Sequence, residues 1–331
     1  MDKIKIGQIG MGHNHGLEKM LTVRKFHELF EVVGIAEPDR RWELERGSRD
    51  GYADLKRMGI DELLSVKGLN AVLVESDIWD LVPYAQKCID AGVHIHIDKP
   101  AGENIDEYEH LLAEAKRKRL TVQLGYMYRN NPAVRYCMEA VKCGSLGEIF
   151  EIDAVMSTQH PLKYRRWLEN FKGGDMYIFG SHLIDLAVLI AGVPDKVVPC
   201  LKQTNFNGTR CSDNCFALLE YRKATAAIRT TSVEINGYGR RQLVVCGEKG
   251  TIEIKPMERP TICTISLDSF SSPYKDRKRT VELPEPEGRY DDMIKDFAGM
   301  IRGEIENPYN YDHELAVHRV ILKASGLLSN R

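Results

Sequence analysis

Hydrophobic positions in the first third of the chain switch between two periods. IKIGQIG alternates as a strand does, a helical stretch follows over 15–30, and EVVGIAEPD and NAVLVES (70–76) are strand-like again. The run WDLVPYAQKCIDAG has helical spacing and stops at Gly92; VHIHID, DEYEHLLAEAKRKR and LTVQLGY then continue as strand, helix and strand. Strands separated by helices of this length predict βαβ units, right-handed crossovers and a doubly wound parallel sheet.

After Tyr126 the pattern changes. A helix is expected over 131–141, then the strand GEIFEIDAVMS, then the apolar helix GDMYIFGSHLIDL with His182 and Asp185 on one face. KVVPCLKQT, NCFALLEY, TAAIRTTSVE, RQLVVCG and GTIEIKP follow as closely spaced strands, and YDDMIKDFAGMIRG and HELAVHRVILKASGLL as helices. Strands that cluster in this way predict an α+β domain on an open, mostly antiparallel sheet. The expected organisation is therefore a first domain over 1–126 and a second over 127–331, closely joined, without repeats or a low-complexity linker.

Composition narrows the function classes. With 331 residues, 43% hydrophobic, 28% charged and a net charge of -2, the chain has the balance of a globular protein and no field to attract nucleic acid or an anionic membrane. RRQ and KDRKR are read as solvated surface. The N-terminus runs directly into a strand without signal-peptide grading, and no apolar run reaches the roughly 20 residues of a membrane span. Eight cysteines lack paired zinc spacing, so reduced thiols in a cytoplasmic protein are expected. His13/His15 and His94/His96 invite a metal, but no third ligand is evident, and no metal is expected.

The chemistry gathers in three segments. In GQIGMGHNHG, between first strand and first helix, Gly10 and Gly12 fill the first two positions of G-x-G-x-x-G, His15 stands at the third, and Gly16 comes one residue late. Gly10, Met11, Gly12, His13 and Asn14 are thus candidates to cradle a dinucleotide pyrophosphate at a helix N-terminus. Glu37, closing the second strand, is placed to accept hydrogen bonds from a ribose and to repel a 2′-phosphate, which favours NAD over NADP; Arg40 and Arg41 are the counter-evidence. HIDKPAG sets Lys99 just past the carboxyl end of a parallel strand, where ligands of open α/β sheets bind, and Pro100 bends the chain away, so Lys99 is a candidate to contact the cofactor beside its nicotinamide.

These segments, in this order with G-x-H-x-x-D in GSHLID, resemble the Gfo/Idh/MocA oxidoreductases, which include glucose–fructose oxidoreductase and inositol 2-dehydrogenase. The resemblance spans essentially the whole chain. It implies a Rossmann domain followed by an α+β domain whose open sheet makes a homodimer or homotetramer. It also implies hydride transfer between NAD(P) and a sugar or cyclitol. By resemblance, Lys99 is the catalytic lysine, with Asp98 in place of the usual Glu, and His182 acts with it on the substrate hydroxyl. Ser76 stands where the family has a Thr beside the cofactor, and Tyr128 and Arg129 belong to the segment lining the substrate cleft. The chain departs from the family at Asp77, where Pro is usual, at Leu81, where His is frequent, and at Ile178, where an Asp often lies four residues before the histidine.

The expected reaction is oxidation of a secondary alcohol on a sugar, glycoside or cyclitol, with Lys99 and His182 handling the hydroxyl proton. His160, Tyr164, Arg165, Asp175 and Asp185 are further candidates to bind the substrate. Two other readings stay open: redox-neutral glycoside cleavage through a transient keto-sugar, and a nucleotide-binding regulator without turnover.

Overall fold

A computed structural model describes residues 2–258, 260–268, 278–284 and 287–330. The chain divides into two compact units, Met1–Met127 with Pro286–Leu315, and Tyr128–Glu285 with Ala316–Arg331.

In the first unit the chain runs β1 (Ile4–Ile9), α1 (Gly16–Lys25), β2 (Phe30–Ala36), α2 (Arg40–Arg46), α3 (Ile60–Leu64) and β3 (Ala71–Val74). It continues through α4 (Leu81–Asp90), β4 (His94–Ile97), α5 (Ile105–Lys118) and β5 (Val122–Leu124). The five strands form one parallel sheet in the order β2-β1-β3-β4-β5. All four residues of β3 and all three of β5 are buried, as expected of strands covered on both faces. Successive strands lie to opposite sides of β1, so its carboxyl end is the switch point where such sheets open a ligand crevice. Asn104 caps α5 by accepting from the Asp106 and Glu107 amides.

In the second unit Asn131 caps α6 (Pro132–Lys142), with Pro132 at the favoured first position. Then come β6 (Ile149–Ser157), α7 (Leu162–Leu168), a wide π-helical turn (Met176–Gly180), α8 (Ser181–Ala191) and β7 (Lys196–Lys202). The strands β8 (Asn214–Glu220), β9 (Thr225–Thr231), β10 (Gln242–Gly247), β11 (Gly250–Ile254), β12 (Cys263–Leu267) and β13 (Lys278–Thr280) complete an eight-stranded sheet. Its order is β13-β12-β11-β10-β6-β9-β8-β7, antiparallel except where β6 runs parallel to β9. Alternate residues such as Leu219, Ile228, Leu243, Val245 and Ile252 are fully buried, and each such side chain contributes on the order of 1.5–3 kcal/mol.

The last helices depart from the expected division at 126/127. Helix α9 (Asp291–Arg302) belongs with the first unit: Met293 O accepts from Gln123 Nε2 at 2.9 Å, and Asp291 takes Lys25 Nζ at 2.5 Å. The chain passes back to the second unit within α10 (Tyr311–Ala324). Three local expectations also change. The helix expected over 15–30 ends at Lys25, the GDMYIFGSHLIDL helix opens with the wide turn, and β12 and β13 lie beyond the strands expected from periodicity. Of the basic cluster at 275–279, residues 275–277 lie outside the described residues.

Candidate functional site

The glycine-rich loop follows β1 directly. Gly10 has φ +87°, and a Cβ there would lie 2.5 Å from Ser76 Cα; one at Gly12 would meet the Asp77 amide nitrogen at 2.7 Å. These two positions admit only glycine because the loop is pressed onto the carboxyl end of β3. Met11 is a core side chain, and its contribution to the loop is its backbone, whose N–H donates to Glu37 Oε2. His13 N–H donates to Glu75 O at 2.8 Å.

Glu37 is tied into this frame, since its Oε1 also accepts from the Asp39 amide at 2.8 Å. Burial lifts its pKa to about 7, against the pull of the Asp39 and Met11 amides. Asp77 collects two groups from α2, Arg41 Nη2 at 2.6 Å and Trp42 Nε1 at 2.8 Å. Arg41 is held by Asp39 as well, at 3.1 Å. Ser76 is buried beside them.

Lys99 follows β4 and is buried, its backbone N–H donating to Asp98 Oδ1 at 2.7 Å. The other Asp98 oxygen is ringed by nitrogens: Lys19 Nζ at 2.5 Å, His13 Nδ1 at 2.9 Å and His15 Nδ1 at 3.2 Å. Lys19 Nζ also donates to Glu75 Oε1 at 2.8 Å, and His96, 3.7 Å from that oxygen, bonds Gln123 at 2.8 Å. Burial alone would raise Asp98, but His13, Lys19 and His15 hold it well below the usual carboxylate range. Burial lifts Glu75 well above that range, Asp98 adding to the effect and Lys19 opposing it. Burial also brings His15 and His96 down to about 3 and lowers His13, while Asp98 and Glu75 keep Lys19 charged despite its burial.

This geometry corrects the expectation that the histidines lack a third ligand. His13, His15 and Asp98 bring three ligand-type atoms within 4.8 Å of one another. Their carboxylate is already neutralised by Lys19, whose ammonium stands where a metal ion would have to share the same oxygen.

In the second unit His182 sits in the first turn of α8, buried, with the Tyr128 ring edge-on at 5.3 Å. The Tyr128 hydroxyl donates to Glu258 Oε1 at 2.5 Å, and Arg241 Nη1 donates to the same oxygen at 2.9 Å. Arg241 also bonds Thr158 Oγ1 at 2.5 Å and stacks on Tyr238. The RRQ cluster is thus only half surface: Arg240 pairs with Glu234, whereas Arg241 is buried in this network.

Arg129 and Asp185, both expected to meet substrate, pair with each other, and both are buried. Arg165 is likewise occupied: its Nη1 donates to Phe206 O at 3.1 Å and Thr209 Oγ1 at 3.3 Å, so it anchors the 206–209 turn. His160 packs against Tyr164 at 4.4 Å and Phe179 at 4.9 Å, rings that are themselves 6.1 Å apart, and burial, with Arg241 nearby, lowers its pKa to about 4. Asp175 is wholly buried, and that burial raises its carboxyl to about 8, reinforced by Asp213 and opposed by Ser232. Ile178 is buried within the wide turn.

Sequence reasoning missed Lys19, Glu75, Arg46, Trp42, Arg241 and Glu258. Only Lys19 left a local signal: it falls among the buried positions Gly16, Met20 and Val23 of α1. No helix among the described residues is long and apolar enough to cross a membrane.

The chain can now be set beside known proteins. It is 27% identical over 196 residues to the uncharacterized oxidoreductase YhhX of Escherichia coli, an alignment covering 58% of this chain and 54% of that protein. It is 23% identical over 239 residues to scyllo-inositol 2-dehydrogenase (NADP(+)) IolW of Bacillus subtilis, covering 70% and 64%. The match thus spans about half to two thirds of these relatives' length. Among solved structures, aldose-aldose oxidoreductase from Caulobacter crescentus shares the fold with a TM-score of 0.81 at 17% identity, covering 98% of each chain. Residues 4–126 match the oxidoreductase family model with its NAD-binding Rossmann fold, and 134–253 match the GFO/IDH/MocA C-terminal domain. With both halves matched in order and the glycine loop and Lys99 at the carboxyl edge of the parallel sheet, the chain belongs to the GFO/IDH/MocA oxidoreductase family.

Proposed function

We propose that this chain is an NAD-dependent oxidoreductase that moves a hydride between nicotinamide and a secondary alcohol of a sugar, glycoside or cyclitol. The observation that carries it is the carboxyl edge of the parallel sheet, where the Gly10–Asn14 loop after β1 and Lys99 after β4 belong to one compact unit. The relatives acting on inositol and aldoses support the substrate class.

The residues present fit a dinucleotide. Gly10 and Gly12 keep the loop close to β3, and the loop amides, Ser76 and Glu37 would hold the cofactor. Bound there, nicotinamide supplies the hydride acceptor or donor. Lys99 Nζ orients the hydroxyl and steadies its developing negative charge, and an imidazole nitrogen of His182 takes the hydroxyl proton. NAD is favoured because Glu37, Asp39 and Asp77 make the ribose end acidic. Arg41, the nearest guanidinium to serve a 2′-phosphate, is already held by Asp39 and Asp77. The eight-stranded sheet, with Phe150 and Val198 exposed, is assigned as the surface for a homodimer or homotetramer.

The test is a panel of polyols, aldoses and glycosides assayed with NAD and NADP at 340 nm. NADH formation on at least one of them, with NADP weaker, is expected. Failure of both nucleotides to bind in calorimetry would overturn the proposal.

A further inference from the structure

We propose that Arg46 is a positioning residue for the cofactor loop: its guanidinium holds the Met11–His13 peptides so that their amide edges face the dinucleotide pyrophosphate. This rests on the dinucleotide reading above and adds a residue from a different helix, α2. Arg46 Nη1 donates to three successive carbonyls, Met11 O at 2.6 Å, Gly12 O at 3.0 Å and His13 O at 3.0 Å. Nη2 donates to Asn14 Oδ1 at 3.1 Å, and the side chain is 8% exposed.

In a planar trans peptide, a carbonyl and the following N–H point in opposite directions. Three carbonyls turned to Arg46 therefore turn the N–H groups of Gly12, His13 and Asn14 away from it. That of His13 is taken by Glu75 O at 2.8 Å, and by the same planarity those of Gly12 and Asn14 turn away from Arg46. Without the guanidinium, Met11 O and Gly12 O would be left unsatisfied, His13 O keeping only the Gly16 N–H at 3.3 Å, and flipping a peptide to relieve them would present oxygen, not N–H, to an anion.

The residue type follows from the task. A guanidinium carries two terminal nitrogens in one plane, so Nη1 can take the carbonyls while Nη2 reaches Asn14 Oδ1, whereas an ammonium is a single point. That plane also lies 4.1 Å from the Trp42 ring centroid, and Trp42 Nε1 is fixed by Asp77. The tether runs from the end of β3 through Asp77, Trp42 and Arg46 to the loop. Its effect is on the fraction of molecules whose loop is ready to bind, so it acts on cofactor affinity and not on chemistry after binding.

The experiment compares wild type, Arg46→Ala and Arg46→Lys by NADH fluorescence titration, thermal melting and steady-state kinetics. Arg46→Ala is expected to raise the NADH Kd and the cofactor KM roughly 10- to 100-fold. Its kcat at saturating cofactor should stay within about twofold, because bound molecules are already selected. Arg46→Lys should fall between the two and keeps the test available if Arg46→Ala does not fold. Wild-type affinity in a folded Arg46→Lys and Arg46→Ala, or a fall in kcat with cofactor KM unchanged, overturns the proposal. A wild type that binds neither dinucleotide overturns the functional reading and this one with it.

Discussion

The guanidinium of Arg129 lies along the carboxylate of Asp185: Nε is 3.1 and 3.0 Å from its two oxygens, and Nη2 is 2.5 Å from Oδ1. Both side chains are buried, so the pair fixes the segment entering α6 against α8 within the second unit. Removing one partner strands the other charge, which costs about 3–5 kcal/mol, whereas replacing both with apolar residues of similar size is close to neutral. Urea unfolding should therefore show large losses for Arg129→Met and Asp185→Leu and a recovered midpoint in the double variant. A single variant that unfolds like wild type but loses substrate affinity would return these residues to the substrate site.

Lys99 and His182 are predicted to act on the reaction, Lys99 from a place beside the cofactor. Alanine at either position should lower kcat on the order of 10²–10⁴-fold, the usual range for a group that handles a proton in the transition state. NADH titration of His182→Ala should give a nearly unchanged Kd. Full turnover in both variants would remove them from the mechanism.

Asp175 makes stability depend on pH. Burial raises its carboxyl from 3.8 to about 8, so between those values the folded state keeps a proton that the unfolded chain has released. Unfolding then proceeds with fewer protons bound, and stability falls as pH rises from about 4 to about 8. The contribution is fully present below the lower value and gone above the upper one. Melting curves of wild type at pH 5 and pH 8.5 should differ more than those of Asp175→Asn; parallel shifts in the two proteins would contradict this origin.

Lys19→Met tests the buried cluster of the first unit. The substitution leaves Asp98 and Glu75 without their shared ammonium and should cost about 3–5 kcal/mol. It also removes the charge that presses against protonation of His13. NMR titration of a folded Lys19→Met should place His13 at a higher pKa than in wild type, and an unmoved or lowered value would speak against the coupling.

Periodicity made the parallel sheet legible because its strands are short, apolar runs between helices with clear stops such as Gly92. The glycine loop was legible because only its flanking strand and helix give Gly10 and Gly12 a meaning. Charged residues whose partners are remote were not. Lys19 meets Glu75 and Asp98 at separations of 56 and 79 residues, and Arg241 meets Thr158 across 83. A charge read along one helix or strand looks solvated until the fold brings its counter-charge to it. Arg129 and Asp185 show the converse: each was placed in a cleft by its segment, and only the fold pairs them. Helix α9 was assigned to the second domain by chain order, whereas its bonds to Gln123 and Lys25 place it with the first unit.

The wide turn at Met176–Gly180 has a consequence for engineering. A regular helix advances 100° per residue, and a π-turn accommodates one residue more than a regular turn, so it acts as a phase shift. Asp175 and His182, seven residues apart, would share one face of an uninterrupted helix; across this turn they do not. An acid placed at Ile178 by substitution would therefore stand at a different angle to His182 than the same spacing gives in a regular helix. Deleting one residue between Met176 and Gly180 before making that change is the edit that would bring the carboxylate into the phase of a regular helix.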